Sequence, residues 1–180
     1  MTIQGVCGTG KSTLGNAVAD ALGLPFIDGD DLHPASNVAK MSAGTPLNDE
    51  DRMPWLATVR KAGETEVAKG SGGAVLACSS LKKSYRQVLR GLSESTAENT
   101  TDEQLPTCFL WIKGSRELLL DRMAKRQGHF MKVSMLDSQL ATLEDPEEES
   151  DVVVVPAENS TPEQLKISLE GVKRLTSSRE

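Results

Sequence analysis

The sequence predicts an α/β domain, a mainly parallel sheet of about five strands with helices on both faces, and three observations carry that prediction. Short apolar runs alternate with amphipathic helical stretches along the chain, the order that strand–helix–strand units require. Near the start, Gly5-Val6-Cys7-Gly8-Thr9-Gly10-Lys11-Ser12 fits G-x-x-x-x-G-K-[ST], the phosphate-binding P-loop, which belongs between a strand and a helix. Polar residues, Asp28 and Asp30 and then Ser79 and Ser80, follow two of the apolar runs directly, at the sheet edge where α/β proteins bind ligands.

The P-loop must wrap its N–H groups around a phosphate, and Gly5, Gly8 and Gly10 stand where a Cβ would obstruct that wrap. Lys11 supplies a point charge for the β- and γ-phosphates, and the Ser12 hydroxyl is the expected Mg²⁺ ligand. Downstream, Leu14, Val18, Ala21 and Leu22 share one helical face, and Gly23 with Pro25 closes the helix. Upstream only Met1-Thr2-Ile3-Gln4 remains, short for a central strand, so a trimmed N-terminus is expected. The alternative is a glycine-rich turn before a surface helix, which this flanking context disfavours.

The 180 residues suit one domain, residues 1–180. A net charge of −6 argues against a nucleic-acid partner, which needs a basic face, so the ligands should be small. No apolar run has the length to span a bilayer, and the start lacks a signal-peptide pattern. Three widely spaced cysteines, Cys7, Cys78 and Cys108, form neither a disulfide framework nor a zinc motif, which points to a reduced, cytoplasmic protein.

Residues 24–27 read as a strand ending at Asp28-Gly29-Asp30-Asp31, with Gly29 leaving the turn free to aim Asp28 and Asp30 at phosphates. Residues 32–56 are too polar for core and too irregular for a solvated helix, as expected of a second-substrate insertion. His33, Lys40 and Arg52 lie in it; for His33 alone, a solvent-facing loop position is the alternative. Pro54 predicts a helix start there, running toward Lys69. Residues 74–78 form a continuous apolar run, a buried parallel strand. Ser79 and Ser80 are placed to cap a helix over 81–92, which carries Lys82, Arg86 and Arg90 as a basic stripe. The polar stretch 93–107 reads as a mobile surface insertion. Residues 108–112 supply another strand, and Ser115 caps a helix bearing Arg122 and Arg126 one turn apart, before Gly128-His129-Phe130. A short helix on Leu136, Leu140 and Leu143 carries Gln139. Residues 151–155 give the last strand, and Thr161-Pro162-Glu163-Gln164 is a capping box for the terminal helix.

No N-K-x-D segment is present to read guanine. The small P-loop domain, the acidic turn and the late Arg-x-x-x-Arg element resemble the nucleoside-monophosphate and shikimate kinase group. Within it, the blocks Asp28-Gly29-Asp30-Asp31-Leu32-His33-Pro34, Asn37-Val38-Ala39-Lys40-Met41, Gly44-Thr45-Pro46-Leu47-Asn48-Asp49, Asp51-Arg52-Met53-Pro54-Trp55-Leu56, Cys78-Ser79-Ser80-Leu81-Lys82-Lys83-Ser84-Tyr85-Arg86 and Gly128-His129-Phe130-Met131 are similar, in order, to the gluconate kinase (gluconokinase) family. Departures are mild: Cys7 and Thr9 stand where Ser is frequent, and Ser80 where Ala is usual.

The resemblance implies a three-layer P-loop kinase fold with a mobile lid at about 122–135. It also implies ATP and Mg²⁺ as cofactors, and phosphorylation of D-gluconate on its primary hydroxyl to 6-phosphogluconate, which feeds the pentose phosphate pathway. A homodimer is implied on the same ground. Gly5, Gly8, Thr9, Gly10, Lys11, Ser12 and Thr13 would hold ATP, with Arg122 against the adenine and Arg126 closing over the phosphates beside His129. Ser12 and Asp28 would serve the metal. Lys11, Asp30 and Arg126 would act in catalysis, Asp30 accepting the hydroxyl proton. Arg52 and Arg86 are the candidates for the substrate carboxylate, since a guanidinium offers a bidentate fork. His33, Lys40, Ser79 and Gln139 are candidates for its hydroxyls. A nucleotide-binding switch without turnover is the reading from another class, and the set Lys11, Ser12, Asp28, Asp30 and Arg126 speaks against it.

Overall fold

The computed structural model describes residues 1–92, 105–125 and 133–177. Five strands, β1 (Thr2–Gln4), β2 (Phe26–Asp28), β3 (Val75–Cys78), β4 (Phe109–Lys113) and β5 (Val152–Pro156), form one sheet in the order β2-β3-β1-β4-β5, and every pairing is parallel. Seven α-helices accompany them among the described residues: α1 (Lys11–Leu22), α2 (Ala35–Ser42), α3 (Asp49–Glu66), α4 (Lys83–Arg90), α5 (Arg116–Lys125), α6 (Val133–Thr142) and α7 (Thr161–Ser177). The expected sheet of about five parallel strands is therefore the one present.

The three residues before the P-loop do form the central strand. Ile3 stands between Ala77 of β3 and Leu110 of β4, and the Thr2 N–H donates to the Cys108 carbonyl at 2.8 Å. Because both faces of a parallel sheet are covered, its inner strands read as unbroken apolar runs, and all four residues of β3 are buried. Ile3, Val75, Leu110, Ile112 and Val153 pack with Leu14 and Val18 of α1 and with Leu165 and Val172 of α7. Leu76, Cys78 and Phe109 pack on the opposite face with Trp55, Leu56 and Val59 of α3 and with Tyr85 and Leu89 of α4. Strand alternation thus sends successive residues into two helical layers.

Two expected helix starts are corrected. Helix α3 begins at Asp49, not near Pro54, because Asn48 and Asp51 form a reciprocal capping box: the Asp51 N–H donates to Asn48 at 2.9 Å, and the Asn48 N–H to Asp51 at 3.1 Å. Pro54 is accommodated inside the helix. Helix α4 is shorter than 81–92 and is not capped by the serines. Lys82 is its N-cap, without a side-chain capping bond, and Ser80 is held at φ +36° with its hydroxyl facing the Cys78 carbonyl at 3.5 Å.

The basic stripe on α4 is not solvated. Arg86 is fully buried, and it donates to both Glu149 carboxylate oxygens and to the carbonyls of Ser80 and Leu81. Arg90 joins Glu149 to Asp151. Burial alone would raise the Glu149 pKa, but the hydrogen bonds from Arg86 and Arg90 outweigh it and hold the carboxyl below its usual range. Arg86→Leu leaves Glu149 with Arg90 as its partner and strips the Ser80 and Leu81 carbonyls of a donor, so urea denaturation should show a loss of about 1–3 kcal/mol.

Candidate active site

The P-loop joins the C-terminal end of β1 to α1 and is braced from within. A Cβ on Gly5, whose φ is +157°, would stand 2.7 Å from the Thr9 hydroxyl oxygen, so the turn closes only around glycine. The Thr9 hydroxyl donates to the Val6 carbonyl at 2.9 Å, and Lys11 Nζ donates to the same oxygen at 3.3 Å. Thr9 is 1% exposed, and its side chain braces the loop. Gly8 and Gly10 complete the loop, and Thr13 is exposed on the first turn of α1.

Two distant residues clasp this loop from outside. The Cys7 N–H donates to the Gln139 side-chain oxygen of α6 at 2.7 Å, so Gln139, expected at sugar hydroxyls, is applied to the P-loop. Arg122 of α5 donates to the Thr9 carbonyl at 3.2 Å and to the Ala157 carbonyl beyond β5. That puts its planar guanidinium between the loop and the β5–α7 turn.

The acidic turn is bonded to α1. Ser12 Oγ donates to Asp28 Oδ2 at 2.6 Å, and Asp28 Oδ1 accepts the Asp30 N–H at 3.1 Å. No group of three or more His, Cys, Asp or Glu side chains able to hold a metal occurs among the described residues. What the chain offers is one hydroxyl and one carboxylate, a set suited to Mg²⁺, which keeps waters and takes its other ligands from substrate phosphates. Asp30 is exposed, on the 3-10 turn Gly29–Leu32 that continues β2.

Gly29 sets the height of that turn. A Cβ there would lie 2.5 Å from the Ala77 carbonyl oxygen, a backbone atom that cannot step aside. The Trp55 indole N–H donates to the Gly29 carbonyl at 2.7 Å and pins the turn to α3. Gly29→Ala should lower thermal stability by about 1–3 kcal/mol, the cost of overpacking. Since Asp28 and Asp30 flank it, kcat should fall as well, which steady-state assays below the unfolding temperature would read.

Trp55 also stacks on His33, with ring centroids 4.0 Å apart and planes at 15°. Burial lowers the His33 pKa, as does the charge of Arg52, while Asp30 opposes both. Its Nδ1 faces the Asn37 amide nitrogen at 3.3 Å, and that amide donates to the Asp51 carbonyl at 2.9 Å. With Nδ1 accepting, the neutral ring carries its proton on Nε2 and is a donor.

The floor of the site is the end of β3. Burial pushes the Cys78 thiol up to about 12, and the charges of Asp30, Lys11 and Arg52 all reach it. Those three groups come from one turn and two helices, the 3-10 turn for Asp30, α1 for Lys11 and α3 for Arg52.

Residues 7–170 match the family described as Shikimate kinase. The chain is 46% identical over 152 residues to the thermosensitive gluconokinase of Escherichia coli (strain K12), covering 84% of this chain and 75% of that protein. It is 46% identical over 158 residues to the gluconokinase of Gluconobacter oxydans (strain 621H), covering 88% of this chain and 82% of that protein. This chain belongs to the gluconokinase family. The crystal structure of a gluconokinase from Sinorhizobium meliloti 1021 superposes with a TM-score of 0.79 at 39% identity, over 98% of this chain and 93% of that one. Shikimate kinase from Aquifex aeolicus, at 16% identity and a TM-score of 0.53, shares the fold alone.

Arg52 lies among the gluconokinase family blocks, and its surroundings single it out. It is only 7% exposed, and its Nε donates to the Leu47 carbonyl at 3.3 Å. Its terminal nitrogens have no hydrogen-bond partner among the described residues. Two carboxylates that precede it in the sequence are engaged elsewhere: Asp51 by Lys40 at 2.5 Å, and Asp49 by Lys82 at 2.7 Å. Of the two arginines expected at the substrate carboxylate, Arg86 is spent on Glu149 and backbone carbonyls, so only Arg52 has donors to offer. Lys40 is tied to Asp51, and Ser79 is buried at the end of β3. Arg126 and His129 lie outside the described residues, as does the middle of the lid expected at about 122–135, whose ends fall in α5 and α6. Asn37 and Trp55, which orient His33 and the acidic turn, were not among the expected site residues. The signal available for them was their position inside the family blocks. No helix among the described residues is long and apolar enough to cross a membrane.

Proposed function

We propose that this gluconokinase transfers the γ-phosphoryl group of ATP to the primary 6-hydroxyl of D-gluconate, giving 6-phosphogluconate and ADP. The observation that carries the reading is Arg52: a nearly buried guanidinium whose terminal nitrogens have no hydrogen-bond partner among the described residues, with His33 feeling both its charge and that of Asp30. An anionic sugar acid docked on Arg52 by its carboxylate would direct its far end toward the acidic turn and the P-loop.

Bound Mg²⁺·ATP supplies the transferable phosphoryl group and neutralises charge on its oxygens. The loose transition state asks the protein mainly for alignment and positive charge. P-loop amides and Lys11 hold the phosphates. Ser12 and Asp28, already joined, would hold the metal and its waters. Arg122, held by the Thr9 and Ala157 carbonyls, would lie against the adenine, and Arg126 would add positive charge over the phosphates. Asp30 orients the primary hydroxyl and takes its proton as the new O–P bond forms. The His33 Nε2–H donates to a hydroxyl of the sugar acid, and Ser79 lines the same wall. The three widely spaced cysteines fit a reducing, cytoplasmic compartment.

Phosphorus NMR of the product tests the position of transfer. A phosphate on the 6-carbon couples to two methylene protons and gives a triplet. A doublet, from coupling to a single methine proton, would place the phosphate on a secondary hydroxyl and refute the proposed docking direction.

A further inference from the structure

Two carboxylates precede Arg52 on α3, Asp49 three residues before it and Asp51 next to it. An arginine and an aspartate three apart on a helix are neighbours and pair readily. Arg52 does not pair with Asp49 here, because Lys82 takes that carboxylate first. Lys82 Nζ donates to Asp49 Oδ1 at 2.7 Å and to Oδ2 at 2.8 Å, and the Tyr85 hydroxyl donates to Oδ1 as well. Lys82 and Tyr85 both belong to the start of α4, three and six residues beyond Ser79 at the floor of the site. The Tyr85 ring stands between the two cations, 5.5 Å from Lys82 Nζ and 6.0 Å from the Arg52 guanidinium.

From this arrangement we infer that Lys82 is a positioning residue for substrate recognition: by holding Asp49, with Tyr85, it keeps an internal carboxylate from occupying the guanidinium that the sugar acid needs. The device acts by exclusion. An enzyme selecting an anionic substrate with a buried arginine must prevent its own nearby anions from competing, and a lysine bound to each of the two carboxylates achieves that. The charge states agree, since hydrogen bonds from Lys82 and then Tyr85 hold the Asp49 carboxyl below its usual range. Asp49 is free to turn once released, because its side chain is 59% exposed. No bonded role at the phosphates or the acidic turn is assigned to Lys82.

The inference rests on Arg52 as the carboxylate anchor, and five variants assayed beside the parent separate the two claims. Lys82→Gln keeps the stem and removes the charge, so Asp49 loses its ion pair and is held by the Tyr85 hydroxyl alone, which lets it compete for Arg52. Its KM for D-gluconate should rise about fivefold, the upper range for an exposed ion pair, with kcat and the KM for ATP little changed. Lys82→Arg should retain the parent KM. Asp49→Asn alone should change it little, and Asp49→Asn combined with Lys82→Gln should return KM to within about twofold of the parent, a coupling that independent structural defects would not show. An unchanged KM in Lys82→Gln, or a double variant no better than Lys82→Gln, overturns the inference while leaving Arg52 in place. If Arg52→Ala binds gluconate as the parent does, both claims fall together.

Discussion

Asp30→Asn should lower kcat by about 100- to 10,000-fold, the usual contribution of a positioned general base. The amide keeps the size of the side chain and the 3-10 turn, whose N–H to Asp28 is a backbone bond. It cannot accept a proton from the primary hydroxyl. ATP affinity, measured by calorimetry, should stay within about twofold, because the P-loop and the Ser12–Asp28 pair are unaltered. A kcat within a few-fold of the parent would remove Asp30 from the catalytic role and leave it an orienting residue at most.

Arg52→Ala should lower kcat/KM for D-gluconate by about 10- to 150-fold, the equivalent of ~1.5–3 kcal/mol for hydrogen bonds to a charged group. The loss should appear chiefly in KM, since the carboxylate end is remote from the reacting hydroxyl and is held equally in the ground and transition states. Arg52→Lys should recover only part of it, because an ammonium has the charge without the bidentate fork. An unchanged gluconate KM in a folded Arg52→Ala enzyme would move the carboxylate site elsewhere.

What could be read from the sequence followed the range of the interactions concerned. The P-loop and Asp28-Gly29-Asp30 were legible because their geometry is local: glycines permit the turns, and neighbouring residues bond one another. The strand alternation was legible because an inner parallel strand must be apolar on both faces. The choice between Arg52 and Arg86 was not, since nothing near either in the sequence shows which guanidinium has a carboxylate partner in the fold. Arg86 is withdrawn by Glu149, 63 residues away, a partner that only the closed sheet brings near. Gln139 was drawn to the P-loop by the Cys7 N–H across 132 residues, for the same reason. The start of α3 shows another kind of miss. Asn48-x-x-Asp51 was readable as a capping box, but Pro54 is the louder start signal and here sits inside the helix. Lys82 lies in a family block and in the basic stripe, but its part in the site emerges only from the pairing with Asp49.

The central claim is acceptor identity, and ADP release in a coupled assay tests it most directly, with D-gluconate, shikimate, AMP and no acceptor run side by side on Mg²⁺·ATP. The account predicts turnover that depends on D-gluconate and is near background with the other three. Turnover with shikimate or AMP in preference, or ADP release indifferent to the acceptor, would contradict it.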